Sequence, residues 1–241
     1  MDDERAFVSR IRRGTGRASD SCKEGPVTVR SPGRRQLEKD QRRRSILEAA
    51  RALLLKKGYD AVSIRQIAAI SELGAGTIYS YFSGKPEIYA TLSTEVFDLL
   101  HDCFSRAAAA GGSPEEKLRA VGGAMLKFSE EHRSYYDFID YFLSSPGTIF
   151  PPEMKARIDA YGARVLSPVI KVIDEGLGGG QFETADSARS ALLFLGMLHG
   201  VIHFRKLRGT LLSESGFEEM YRQGVEAMVA SLRAGGVKPV D

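Results

Sequence analysis

The sequence predicts an all-α fold, and three observations carry that prediction. Apolar residues recur at three- and four-residue spacing along most of the chain. Helix-starting patterns (Ser63 with Gln66, Ser113 with Glu116) and helix-ending glycines punctuate the segments between them. No alternating run of β-branched residues lies between turn dipeptides, so strand signals are absent.

The first 44 residues hold a basic excess that includes Arg10, Arg12, Arg13, Arg34, Arg35, Arg42, Arg43 and Arg44, in a background rich in Gly, Ser and Pro. With little apolar periodicity, about the first 35 are expected to be disordered. Such an arm suits phosphate or minor-groove contacts, and equally a solvated tail. Ile46, Ala50, Leu53 and Leu54 then share one face of a first helix, which Lys56 and Lys57 suit at its C-terminus and Gly58 ends. Ser63 and Gln66 open a second helix. Beyond the short helix that follows, Pro86 marks the first turn of a longer one carrying Ile88, Leu92, Val96, Leu99 and Leu100.

Gly111 and Gly112 break the chain, and Ser113-Pro114-Glu115-Glu116 starts a helix lined by Leu118, Val121, Met125 and Phe128. An aromatic segment from Tyr135 to Leu143 leads into a loop at 144–147. A helix from about 153 to 175 contains Pro168, which should kink or divide it, and the glycines at 176 and 178–180 close it. Two apolar helices follow, over about 185–206 and 214–233. Ala188, Leu192, Leu195, Leu198 and Ile202 line the first; Phe217, Tyr221, Val225, Met228 and Leu232 line the second.

The organisation predicted is therefore a basic extension (1–39), a helix-turn-helix domain (40–100, motif 63–82), a C-terminal helical domain (101–234) and a tail (235–241). The long fourth helix joins the two helical parts.

Residues 67–88 carry the chemistry. A short apolar helix enters a tight turn, and the next helix sets Gly76, Thr77 and Ser80 on one side where a core helix would be bulky. A helix that presses its backbone and N-terminal end against phosphates and base edges needs that smallness, which points to a DNA-binding helix-turn-helix. Ser63, Ile67, Ala68, Gly76, Thr77, Ile78, Tyr79, Tyr81, Phe82 and Lys85 stand in register with the motif of the tetracycline-repressor (TetR) family. The chain closely resembles that family over this segment. It departs at the turn, where Ser71-Glu72-Leu73-Gly74 replaces Ala-Gly-Val-Ser. Either Glu72 accepts a positive φ or the turn changes geometry, and Gly74 replaces the serine cap.

The resemblance implies DNA contacts from Ala75, Gly76, Thr77, Tyr79, Ser80, Tyr81 and Lys85, with Ser63 and Arg65 at the start of the preceding helix. Ser63 can cap its helix and reach a phosphate, Arg65 can reach a base edge, and Tyr79 and Lys85 suit backbone positioning. Ile67, Ile78 and Phe82 are expected in the core, and Tyr81 is open to either role. The resemblance also implies an effector cavity in the C-terminal bundle, for which Phe104, Phe128, Tyr136, Phe138, Tyr161, Met197 and His199 are candidate lining residues. Ligand binding there would move the fourth helix and change the distance between two recognition helices.

A single helix-turn-helix buries little surface, so a homodimer reading a pseudo-palindromic double-stranded operator is expected, with the last two helices as its seam. His199 and His203 have the spacing of a two-histidine metal site, but no third ligand is evident, and hydrogen-bonded core or interface histidines are the favoured reading. No nucleophile motif, phosphate loop or dinucleotide fingerprint appears, so no enzyme activity and no cofactor is expected. Asp137 and Asp140 come nearest to a paired-carboxylate site. Cys22 and Cys103 form neither a disulfide framework nor a metal site. No run was expected to approach the roughly 18 apolar residues of a membrane span. The expected product is a cytoplasmic, effector-responsive transcriptional regulator, most often a repressor; the alternatives are a DNA-binding regulator without effector and, behind it, an enzyme with a helical catalytic domain.

Overall fold

The computed structural model describes residues 33–144, 150–184 and 186–233, and these are helical almost throughout. The predicted extension over 1–32, the loop at 145–147 and the tail from 234 lie outside the described residues. Among those described, the only β feature is an isolated bridge between Arg208 and Leu212. The chain divides into two compact units between Tyr89 and Ala90.

The first unit holds α1 (Arg34–Lys57), α2 (Ile64–Ile70), α3 (Ala75–Tyr79) and the start of α4 (Lys85–Ala108). Ile46, Leu47, Ala50, Leu53 and Leu54 bury one face of α1, and Ile67, Ala68, Ile78, Phe82 and Ile88 complete the core. Tyr89 is fully buried, and its hydroxyl donates to the Ala50 carbonyl at 3.0 Å. The helix α1 begins at Arg34, earlier than the boundary at 40 that apolar periodicity suggested. Its opening turns carry no apolar face, so their helicity left no hydrophobic signature.

The second unit holds the rest of α4, then α5 (Pro114–Glu131), α6 (Arg133–Ser144), α7 (Pro152–Gly178), α8 (Ser187–His203), a short 3-10 turn (Phe204–Leu207) and α9 (Glu214–Arg233). Helix α5 packs against α7, α8 and α9, and α8 packs between α7 and α9. Ser113 and Glu116 cap α5 reciprocally, as the sequence pattern requires, with the Ser113 N–H donating to Glu116 at 2.8 Å.

Two expectations need correction, on the glycines that end α7 and on membrane-length apolar runs. Pro168 does not divide α7, which continues as one helix to Gly178; glycine 176 lies inside it. There, a Cβ would come within 2.1 Å of the buried Phe182 ring. Leu99 on α4 and Ala188 and Leu192 on α8 are exposed; α8 buries Ala191, Phe194, Leu195, Leu198 and Ile202. Finally, the stretch Ser187–Leu207, with mean hydropathy 1.2, is long and apolar enough by length and composition to cross a membrane. Its buried stripe is the face that packs on α5, α7 and α9.

Candidate nucleic-acid interface

The motif is assembled by local bonds. Ser63 adopts an extended backbone and caps α2: its N–H donates to the Gln66 side chain at 2.9 Å, and its Oγ accepts from the Gln66 N–H at 3.3 Å. The serine is thus engaged at the helix start while remaining exposed. At the other end Ser71 Oγ donates to the carbonyls of Ile67 and Ala68, at 2.8 and 3.2 Å, and Leu73 N–H closes onto Ala68 at 2.9 Å. Glu72 takes the left-handed conformation with φ of 57°, so the turn keeps the glycine-type geometry and Glu72 bears its strain.

Gly74 is extended and caps α3 without a side chain, its carbonyl accepting from Thr77 and Ile78 N–H. A Cβ there would meet nothing nearer than Thr77 Oγ1 at 3.8 Å, so a serine would fit. Helix α3 is held from beneath by Ile78 and Phe82, both buried, with the Arg43 guanidinium 5.3 Å from the centre of the Phe82 ring.

The outer surface of α3 collects most of the proposed contact residues. Gly76 and Ser80 are exposed, Tyr79 is 58% exposed, and Ala75, Thr77 and Tyr81 are half-buried. Arg65 is exposed on α2. Ser80 Oγ is turned back onto the Thr77 carbonyl at 2.7 Å. Around Gly76 a Cβ would meet no atom within 4 Å, so the fold does not require glycine there. Glycine costs about 1 kcal/mol relative to alanine inside a helix. Gly76 is the second residue of α3, in its first turn, where that interior penalty applies only in part.

Lys85 has a task within the domain that the motif did not suggest. Its ammonium donates to the carbonyls of Tyr59 and Val62, at 2.9 and 3.0 Å, and lies 4.2 Å from the centre of the Tyr59 ring. Two of its three donors tie the α1–α2 connection to the start of α4, a clamping role within the domain. The carbonyls are 26 and 23 residues distant in the chain. No local pattern could have revealed them, although Tyr59 directly after the helix-ending Gly58 is the aromatic partner a lysine would find.

In the second unit Phe104, Phe128, Tyr136 and Phe138 are buried, and Tyr161, Met197 and His199 are half-buried. Only Tyr136 and His199 among them are linked by a hydrogen bond, the Tyr136 hydroxyl lying 2.8 Å from His199 Nδ1. Phe138 stacks edge-on against Phe142, Tyr161 lies under Arg164, and Met197 faces Gly224. His199 Nε2 and His203 Nδ1 share one oxygen of Asp140, at 3.2 and 3.0 Å. Among the described residues no group of three or more His, Cys, Asp or Glu side chains could hold a metal ion, and both histidines are engaged by hydrogen bonds or ion pairing. Burial holds the His199 imidazole below its ordinary pKa, against the pull of Asp140, and burial raises the Tyr136 phenol. Asp137 pairs with Arg205 and Arg133, so the two carboxylates of α6 have separate partners and do not form a shared acid–base site.

Residues 46–92 match the profile of bacterial regulatory proteins of the tetR family. The HTH-type transcriptional repressor KstR of Mycolicibacterium smegmatis is 34% identical over 85 residues, which span 35% of this chain and 42% of KstR. The sequence likeness thus covers less than half of that relative's length. Solved structures extend the likeness of fold. FadR of Bacillus subtilis, in complex with stearoyl-CoA, aligns over 78% of this chain and 97% of its own with a TM-score of 0.66 at 17% identity. AibR, in complex with isovaleryl coenzyme A and operator DNA, aligns over 80% of this chain and 99% of its own with a TM-score of 0.62 at 23% identity.

Proposed function

From a chain that carries the DNA-binding domain of the tetR family of bacterial regulatory proteins, we propose a homodimeric, sequence-specific transcriptional regulator, a repressor released from its operator by a small molecule. The observation that carries this reading is Gly76, a glycine in the first turn of the five-residue α3, exposed and with open space where its side chain would be. Around it Thr77 and Tyr79, with Arg65 and Ser63 on α2, supply hydroxyl and guanidinium groups suited to phosphates and base edges. Leu192 and Leu193 on α8, 60% and 41% exposed, supply apolar surface for a dimer seam, so that two recognition helices can address two half-sites. Such a regulator works in the cytoplasm, where the operator is. Acyl-CoA esters are the first effectors to try, because FadR and AibR were solved with them.

The test is Gly76→Ala on a duplex selected from a random pool by the wild-type protein, read by fluorescence anisotropy. The substitution should leave the protein as stable or up to about 1 kcal/mol more so. It should nevertheless weaken selective binding at least tenfold, because the new methyl stands where the duplex must approach. Unchanged affinity would remove the main support for α3 as the reading helix. Adding acyl-CoAs of different chain length to the wild-type complex then tests release.

A further inference from the structure

The helix α1 enters the core of the first unit only at Ile46, yet it begins at Arg34. Residues 34–45 bury nothing: Arg43 and Ser45 are half-buried and the others are exposed. Twelve helical residues span about 18 Å at 1.5 Å each. They contain Arg34, Arg35, Lys39, Arg42, Arg43 and Arg44 against only Glu38 and Asp40. Both acids are engaged within the helix, Glu38 with Arg34 at 3.1 Å and Asp40 with Gln36 at 2.9 Å.

The cations are not scattered. Stepping from Ile46 toward the start of α1 by four, seven and eleven residues gives Arg42, Lys39 and Arg35, which lie on one helix face. Stepping the other way by four and seven gives Ala50 and Leu53, both buried. One stripe of α1 is therefore apolar where the domain covers it and cationic where it projects beyond the domain. The overhang also borders the reading motif. A groove of about 210 Å³ is lined by Glu38, Gln41, Arg42 and Ser45 of α1 and by Ser71 and Leu73 of the α2–α3 turn.

A row of like charges along one exposed helix face is repulsive by itself. We infer that the Arg35–Lys39–Arg42 row of α1 is a second DNA-contacting element, which tracks the phosphate backbone of duplex DNA alongside the bases read by α3. Charge complementarity selects this occupant: the row meets a partner whose negative charges repeat along its length, and 18 Å is about five base pairs of B-DNA. The contact adds affinity and register without base discrimination. This inference rests on the DNA-binding reading above.

The experiment compares the full-length wild type with the triple variant Arg35→Gln, Lys39→Gln, Arg42→Gln. Glutamine keeps the helix propensity and removes only the charge. Binding to the selected duplex and to a scrambled one is measured across a range of salt concentrations. The variant should lose about 0.9 from the slope of log affinity against log salt for each phosphate released, close to three per protomer. Its preference for the selected duplex should be unchanged. A control variant with Arg157, Lys171 and Arg189 of the second unit changed to glutamine, all exposed, should keep the wild-type slope. An unaltered slope in the α1 variant, or an equal loss in the control, overturns the inference. Those results leave the proposed function intact wherever the wild type still prefers its selected duplex; absence of that preference would sink both.

Discussion

Glu72 holds a left-handed backbone in the α2–α3 turn, where a side chain costs about 1–2 kcal/mol that glycine avoids. Replacing it with glycine should stabilise the protein by about 0.5–1 kcal/mol after the unfolded-state entropy is counted. Valine, branched at Cβ, should destabilise by more than glycine gains. Urea titration of the three proteins reads both signs. Lys85 makes the opposite kind of case. Lys85→Met strands the carbonyls of Tyr59 and Val62, and should cost about 1–3 kcal/mol. The salt slope of DNA binding should stay at the wild-type value, which separates a clamp from a phosphate ligand. The sequence named both positions for different reasons. Glu72 is legible as a choice between strain and altered geometry, because it stands where the family that the segment resembles has a glycine in its turn. Lys85 is not, because its partners are brought to it by tertiary packing.

Among elements, caps were legible and faces less so. The Ser63–Gln66 and Ser113–Glu116 pairs set helix starts through bonds spanning three residues, so sequence spacing is the interaction itself. Spacing of three or four leaves the centre of a buried stripe uncertain by about one position: Leu192 shares the apolar run of α8, yet Ala191 and Phe194 occupy its covered side. The start of α1 was invisible for the complementary reason, since periodicity reports only helix that is buried. Glycine 176 also escaped its role: it is where α7 makes room for Phe182. Gly176→Ala should therefore cost about 1–3 kcal/mol by overpacking, although alanine favours helix. Thermal unfolding will show which effect prevails, and a rise in melting temperature would contradict the close contact.

Stability of the whole molecule should depend on pH through His199. Its hydrogen bonds are complete when the ring is neutral, with Tyr136 O–H donating to Nδ1 and Nε2–H donating to Asp140. Because burial lowers its pKa in the folded state, the unfolded chain binds the proton first as pH falls. Stability is then full above about pH 6.5, the ordinary histidine value, and declines as pH drops from there toward the folded pKa. Melting temperatures between pH 8 and 5 should show this decline in the wild type and a shallower one in His199→Gln. Assembly is testable at the same scale. Leu192→Glu should convert the proposed dimer to monomers by light scattering, with loss of selective DNA binding and retention of helical content.

The five residues of α3 have a consequence for portability. A helix that short has almost no stability of its own, and its shape comes from Ile78 and Phe82 seated in the first unit's core. A synthetic peptide covering residues 63–82 would be unstructured in water and blind to sequence. Grafting the reading surface onto another scaffold would require α1, the Tyr59–Val62 connection and the opening turn of α4 to travel with it. On the proposed reading, specificity would be inherited as a domain, and altering Arg65, Thr77 or Tyr79 in place would change operator preference more readily than exchanging the motif.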